Sequence, residues 1–308
     1  MKKTKIIIPA LGVMLLSTAA SVTGTVAWFS MNNFVNATQM KVTAKAENGI
    51  VISNVTPGTA SDWKEQTTSA YTDPLAVFPT STQNASTWVH SKSTQSDDNN
   101  TDQEYEMLSG IATSSTNGAG WVNTNGQEGY QSTSGTTTGE NPTAYDADAA
   151  YYLCNSFYIK SSANTAITGS TLYITKVSAS VVGTSESGDL NKALRVLVKL
   201  HGDDASARVY APFRTAAYEY QVVTALGNPN NYTNATKATV NALVPGANNI
   251  VNTQFLTNQT IPASSQTPLQ IDIYLYYEGE DEECKSANLT ANLDNLSVDV
   301  EIGTQQRQ

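Results

Sequence analysis

Between Leu269 and Tyr277 the chain alternates without a break. Leu269, Ile271, Ile273, Leu275 and Tyr277 fall on one face, Gln270, Asp272, Tyr274 and Tyr276 on the other. Side chains of an extended strand point to opposite faces in turn, so this period of two specifies a strand with one face in a core and excludes an amphipathic helix. Leu296, Val298, Val300 and Ile302 repeat it against Ser297, Asp299 and Glu301. Lys192 to His201 repeats it again, with Leu194, Val196, Val198 and Leu200 inward and Arg195, Lys199 and His201 outward. Tyr151 to Lys160 carries apolar or aromatic residues on both parities, which predicts a strand covered on both faces. Val51–Asn54, Thr171–Val182, Ala207–Phe213, Tyr218–Leu226 and Asn249–Leu256 supply further strands. About ten strands with hardly a helical period predict an all-β, antiparallel β-sandwich.

The totals narrow the function classes. The chain has 308 residues and a formal net charge of −10, with only 17 Lys and Arg. A nucleic-acid partner requires a basic surface that displaces counterions, and an anionic membrane surface requires the same sign, so neither is expected. Charged residues make up 14% of the chain, below the usual ~25%, and Ser, Thr, Asn and Gly take their place, as in solvent-facing extracellular β proteins. Cys154 and Cys284 are the 2 cysteines, each in or beside a strand candidate. Two readings are open: one disulfide, as an even count in an exported protein suggests, or two buried thiols.

The start of the chain points to export. Lys2, Lys3 and Lys5 precede an apolar run from Ile6 to Leu16, and a small-residue stretch ends in Thr25-Val26-Ala27. This order predicts a signal peptide over residues 1–27, cut between Ala27 and Trp28. The other reading is a retained anchor, because apolar or small residues continue to Phe29. On either reading the membrane is engaged only through an uncleaved leader. Downstream, Met40, Val42, Ala44 and Ala46 alternate with Lys41, Thr43, Lys45 and Glu47, while Phe29, Met31, Val35 and Ala37 have the opposite parity. A phase flip within Asn36–Gln39 therefore predicts two strand segments joined by a bulge or kink.

The residues Thr25-Val26-Ala27-Trp28-Phe29-Ser30, then Asn32 and Asn33, then Val35 to Val42, resemble the start of TasA and camelysin-type exported proteins of Gram-positive bacteria. The resemblance covers roughly the first 55 residues. It implies a jelly-roll-like sandwich, processing by a SipW-type signal peptidase, and a secreted, cell-surface or biofilm-matrix location. For the best-known member it implies extracellular fibres. On this reading residues 28–308 form one β-sandwich domain that polymerises with itself. Trp28, Phe29, Met31, Phe34 and Val35 would be the anchoring side chains of an N-terminal strand added to a neighbour's sheet edge.

Residues 59–148 differ in character. Apolar islands at Trp63, Leu75–Phe78, Trp88-Val89 and Tyr105–Ile111 stand between polar tracts, which predicts a loop-rich insertion rather than a second core. That insertion is the natural contact region of the alternative function, a secreted adhesin or glycan-binding module. Tyr218, Tyr220, Tyr274 and Tyr276, on outward strand positions, offer a sugar platform for it. Asn-x-Ser/Thr sequons recur, among them Asn36, Asn84, Asn231, Asn234 and Asn295, at about the frequency that chance gives in so Asn- and Ser/Thr-rich a chain.

Catalytic motifs are absent from the sequence. It holds 2 histidines, His90 and His201, and no His-Glu-x-x-His helix, Gly-x-Ser-x-Gly elbow or phosphate-binding glycine loop. The metalloendopeptidase label attached to camelysin therefore finds no ligand set here, and the chain is expected to have no catalytic residues and no cofactor. Glu278-Gly279-Glu280-Asp281-Glu282-Glu283 is acidic at every position but one. Such a turn is either a charged edge that keeps a sheet soluble or a calcium site built from Glu278, Glu280, Asp281, Glu282 and Glu283.

Overall fold

The computed structural model describes residues 35–38, 40–46, 49–55, 63–71, 75–77, 79–92, 104–108, 121–122, 128–129, 149–150, 152–181, 190–216, 218–225, 236–281, 283–284, 293–294 and 296–307. Its strands begin with β1 (Val35–Thr38), β2 (Met40–Ala46), β3 (Ile50–Ser53), β4 (Gln66–Tyr71), β5 (Leu75–Val77), β6 (Ser81–Thr82) and β7 (Trp88–Lys92). Next come β8 (Glu104–Leu108), β9 (Trp121–Val122), β10 (Glu128–Gly129), β11 (Ala149–Ala150), β12 (Leu153–Ser161), β13 (Ile167–Val181) and β14 (Leu194–Leu200). The last are β15 (Asp203–Tyr210), β16 (Tyr218–Ala225), β17 (Thr236–Ala242), β18 (Ile250–Ile261), β19 (Leu269–Tyr277), β20 (Leu293–Asp294) and β21 (Leu296–Gly303). Among the described residues the helical content is two 3-10 turns, Leu190–Ala193 and Ala247–Asn249.

The fold is an all-β sandwich. One sheet runs β18-β13-β21-β2-β4; the other runs β15-β14-β19-β12-β10-β9, with β3 also beside β12. The alternating residues meet between them. Val42 and Ala44 from β2, Ile174 from β13 and Val298 and Val300 from β21 form one buried cluster with Phe157 and Ile159, Val196 and Val198, and Ile271 and Ile273 of the opposite sheet. At roughly 1.5–3 kcal/mol for each fully buried aliphatic or Phe side chain, this cluster is the main stabilising term. A reversed hairpin joins β14 to β15 through His201-Gly202, and Gly202 sits at φ 76, a left-handed conformation that a side chain would strain.

The phase flip near Gln39 has a structural counterpart. β1 joins a small sheet ordered β11-β5-β1-β20, whereas β2 lies inside the five-stranded sheet. β2 pairs antiparallel with β4 and parallel with the C-terminal strand β21, Val42 opposite Val298 and Ala44 opposite Val300. That parallel pair departs from the wholly antiparallel pairing expected. β4 itself lies in the stretch read as a loop-rich insertion. Its polar sequence, Gln-Thr-Thr-Ser-Ala-Tyr, fits an edge strand with little to bury.

A third layer covers the outer face of the seven-stranded sheet. The β16–β17 hairpin and the β6–β7 region bring Tyr220, Val222, Val240, Ala242, Ala85 and Trp88 onto Tyr152, Cys154, Leu197, Tyr274 and Tyr276. The Trp88 ring stacks on Tyr152 with centroids 4.2 Å apart and meets Tyr276 edge-on at 5.2 Å. Such aromatic pairs add about 0.5–1.5 kcal/mol each beyond their area. Consequently Arg195 and Lys199, expected to face water, are buried at 0% and 3% exposure. The alternation was real, but the face it assigned to solvent is an interior one.

Candidate functional site

Strand register orders the outer face of the seven-stranded sheet into rows. β14 and β19 set Arg195 opposite Tyr276, Leu197 opposite Tyr274 and Lys199 opposite Asp272. β12 then sets Cys154 opposite Tyr274 and Ser156 opposite Asp272. An aromatic band thus separates two polar regions, one at each end.

The first polar region gathers around the acidic turn. Asp281 is fully buried; the Arg195 guanidinium donates to its Oδ2, and Arg214 donates to its Oδ1 at 2.6 Å. Arg214 stacks 3.5 Å from the Tyr218 ring centroid, and Arg195 lies 5.1 Å from that of Tyr220. Burial works against the charge on Arg195, but Tyr220, Asp281 and Glu278 outweigh it and hold the guanidinium more firmly protonated than usual. Glu278 is buried as well. Its Oε1 accepts the Glu280 N–H at 3.1 Å, while Oε2 has no hydrogen-bond partner among the described groups. Burial pushes its carboxyl from 4.5 up to about 8, against the pull of Ser81 and Arg195.

This geometry bears on the calcium reading of the turn. Both Asp281 oxygens are taken by guanidinium groups, Glu278 is sealed beneath the outer layer, and Glu282 lies outside the described residues. Among the described residues no cluster of three or more His, Cys, Asp or Glu is arranged to hold a metal ion. Asp281 is thus an internal anchor for two arginines, while Glu280 and Glu283 are half-buried.

The second polar region holds His201. Its Nδ1 lies 2.7 Å from Oδ2 of Asp272, a carboxylate with only 3% of its side chain exposed. Ser156 Oγ donates to Asp272 Oδ1 at 2.8 Å, and the Gln270 amide donates to the same oxygen at 3.0 Å. Ser, His and Asp are therefore together, in the wrong order for acyl transfer. A nucleophilic hydroxyl has to face the imidazole nitrogen that the carboxylate does not hold, and Ser156 instead bonds to the carboxylate. The trio orients a histidine at the rim of the outer layer and builds no nucleophile.

Beside it, Lys199 Nζ reaches Asp204 Oδ1 at 2.7 Å, Ser86 Oγ at 3.1 Å and the main-chain oxygen of Asn84 at 3.2 Å. These bonds tie the 82–87 loop to β14.

The structure takes one of the two cysteine readings and bears on the tyrosine platform. Cys154 and Cys284 are buried thiols that are not bridged to each other. Cys154 packs in the aromatic cluster of the outer layer and Cys284 in the sandwich core, so the sheet itself separates the sulfurs. Three of the four platform tyrosines are internal, Tyr220, Tyr274 and Tyr276 being 5%, 2% and 0% exposed, and Tyr218 is half-buried. The proposed assembly residues Trp28, Phe29, Met31 and Phe34, and the Ala27–Trp28 cleavage point, lie outside the described residues. Val35 is in β1, where it pairs with Val77 of the same chain.

Sequence reasoning found the acidic turn of the first polar region, but neither its arginine partners nor the second region. The one available signal was the lone Arg195 and Lys199 within a strand of large apolar residues; their partners come from 5 to 115 positions away, which no local pattern shows. No family model, no curated protein and no solved structure matches this chain.

Proposed function

We propose that the chain is an exported structural subunit that builds filaments at the cell surface or in an extracellular matrix. The observation that carries this reading is where the segment after the leader enters the fold. Val35–Thr38 is a strand at once, and β2 follows as an interior strand held on both sides. The apolar residues Trp28, Phe29, Met31 and Phe34 directly precede a strand, which suits them to extend it onto a neighbour's sheet edge. Val35 no longer belongs to that donor set, because its backbone pairs at home. Among the side chains that are described, Val55 is the large apolar one that is exposed, and backbone pairing is the link this reading uses. A strand passed from each copy to the next does not close on itself and generates a filament.

The test is negative-stain microscopy of the processed protein, its N-terminus defined by mass. Filaments are expected from the native chain, and dispersed but folded protein from the double variant Phe29→Asp, Met31→Asp. Native protein that stays monomeric at high concentration removes the filament reading. Normal fibres from the double variant remove strand donation.

A further inference from the structure

The Lys199 contacts amount to more than an anchor once the Asn84 side chain is followed. Its carbonyl oxygen Oδ1 accepts the Ser86 N–H at 3.0 Å, and its amide nitrogen Nδ2 donates to Asp204 Oδ2 at 3.3 Å. The other oxygen of that carboxylate, Oδ1, receives Lys199 Nζ at 2.7 Å. One carboxylate therefore bridges an amine and a primary amide. A main-chain N–H polarises the carbonyl of the same amide. The amine is excluded from water, its side chain being 4% exposed, and is held against the main-chain oxygen of the residue that bears the amide.

We propose that Lys199 and Asn84 are joined by an isopeptide bond, formed by the protein itself with Asp204 as the proton carrier. The Nζ lone pair attacks Asn84 Cγ; the Nζ–Cγ bond forms and the Cγ–Nδ2 bond breaks. Two protons leave the Nζ ammonium: the first passes to Asp204 and from there to Nδ2, which departs as ammonia, and the second, released once the Nζ–Cγ bond has formed, is taken up by the freed Asp204 carboxylate. Oxidation states do not change, and no co-reactant is consumed. The groups that amide exchange requires meet around one carboxylate: an amine beside its base, an amide whose carbonyl accepts a main-chain N–H, and that amide's nitrogen beside the acid that would protonate it.

The resting state is the ion pair. Burial pushes Asp204 up, but hydrogen bonds from Lys199 and Ser86 outweigh it and hold the carboxyl below its ordinary range. Reaction proceeds from the minor form in which the proton has moved to the carboxylate, so the bond forms slowly after folding. Once formed, it fastens the loop that carries Ala85 and Trp88 to the sandwich covalently, in a chain whose two thiols form no bridge.

Intact mass and peptide mapping of the folded protein, followed over days at neutral and mildly alkaline pH, test this directly. The native chain should become lighter by one ammonia and yield a branched peptide linking Asn84 to Lys199. Lys199→Arg, and Asn84→Ala, which keeps the main-chain oxygen that Lys199 uses, should each retain full mass. Asp204→Asn should slow the change by about 100-fold or more, the contribution of a positioned proton carrier. Circular dichroism of each variant shows that it is folded. A folded native chain at full mass with no branched peptide overturns the proposal. So does a loss of ammonia that persists in Lys199→Arg, which marks a cyclic imide at Asn84 instead.

Discussion

Arg195 on β14 and Asp281 in the turn after β19 form an ion pair in which neither side chain reaches solvent. Strand pairing brings the two together: β14 and β19 run antiparallel, and the acidic turn folds back over the start of β14, where the Glu278 N–H donates to the carbonyl of Ala193 at 2.9 Å. The cost of removing both charges from water is offset only while each has its partner.

Arg195→Met should therefore destabilise the protein by about 3–5 kcal/mol, chiefly by leaving Asp281 short of one of its two arginines in a dry site. Asp281→Leu should cost a similar amount. The double variant should be more stable than the sum of the single losses predicts, because each single variant already loses the whole Arg195–Asp281 interaction. Urea melts in a double-mutant cycle measure the coupling; strict additivity would mean that the pair is not a unit.

Glu278 makes stability depend on pH. Its folded-state value, raised from 4.5 to about 8, means that the folded chain holds a proton that the unfolded chain has already lost between those limits. The stabilisation is complete below 4.5 and is lost as pH rises to about 8. Denaturant melts from pH 4 to 9 should show the native chain losing stability relative to Glu278→Gln across this window. Parallel curves would show that the carboxyl is not held neutral.

Trp88 fastens the outer layer by stacking on Tyr152, and its indole N–H donates to the Ala85 carbonyl at 3.2 Å. Trp88→Ala should cost about 3–5 kcal/mol. Hydrogen exchange should rise first in residues 79–92 and in β16 and β17, with β13 and β21 still protected. Uniform loss of protection would make the outer layer and the sandwich one cooperative unit.

The thiols should be silent in the native state. Burial pushes Cys284 well above its ordinary range, and Cys154 is 1% exposed. A thiol reagent is expected to find neither before denaturation and both after it, and reductants should leave Tm unchanged. A Cys154–Cys284 peptide recovered without reduction would contradict the arrangement of the two clusters.

What was legible in the chain was whatever is written with a period of two. β14, β19 and β21 follow their alternation, and the two segments on either side of Gln39 separate where the parity changes. Gln66–Tyr71 and Thr236–Ala242 were not legible as strands. The first alternates only polar and small residues, and the second has just Val240 and Ala242 to bury against the outer layer. The candidate site fared worse. Acidic density at Glu278–Glu283 drew attention to the right turn but not to its partners, because composition counts carboxylates without showing that two arginines already occupy Asp281.

By itself, then, the sequence determined that the protein is built of strands and which side chains share a face, since both follow from local backbone geometry. Whether a given face meets water or a further layer was decided only in the tertiary structure. Tyr274 and Tyr276 sit on the face opposite the sandwich core, as their parity requires, yet Trp88 and the β16–β17 hairpin arrive from distant parts of the chain to bury them. Burial and pairing likewise set the charge of Arg195 and the proton of Glu278, because both act through space, as between Arg195 and the distant Asp281.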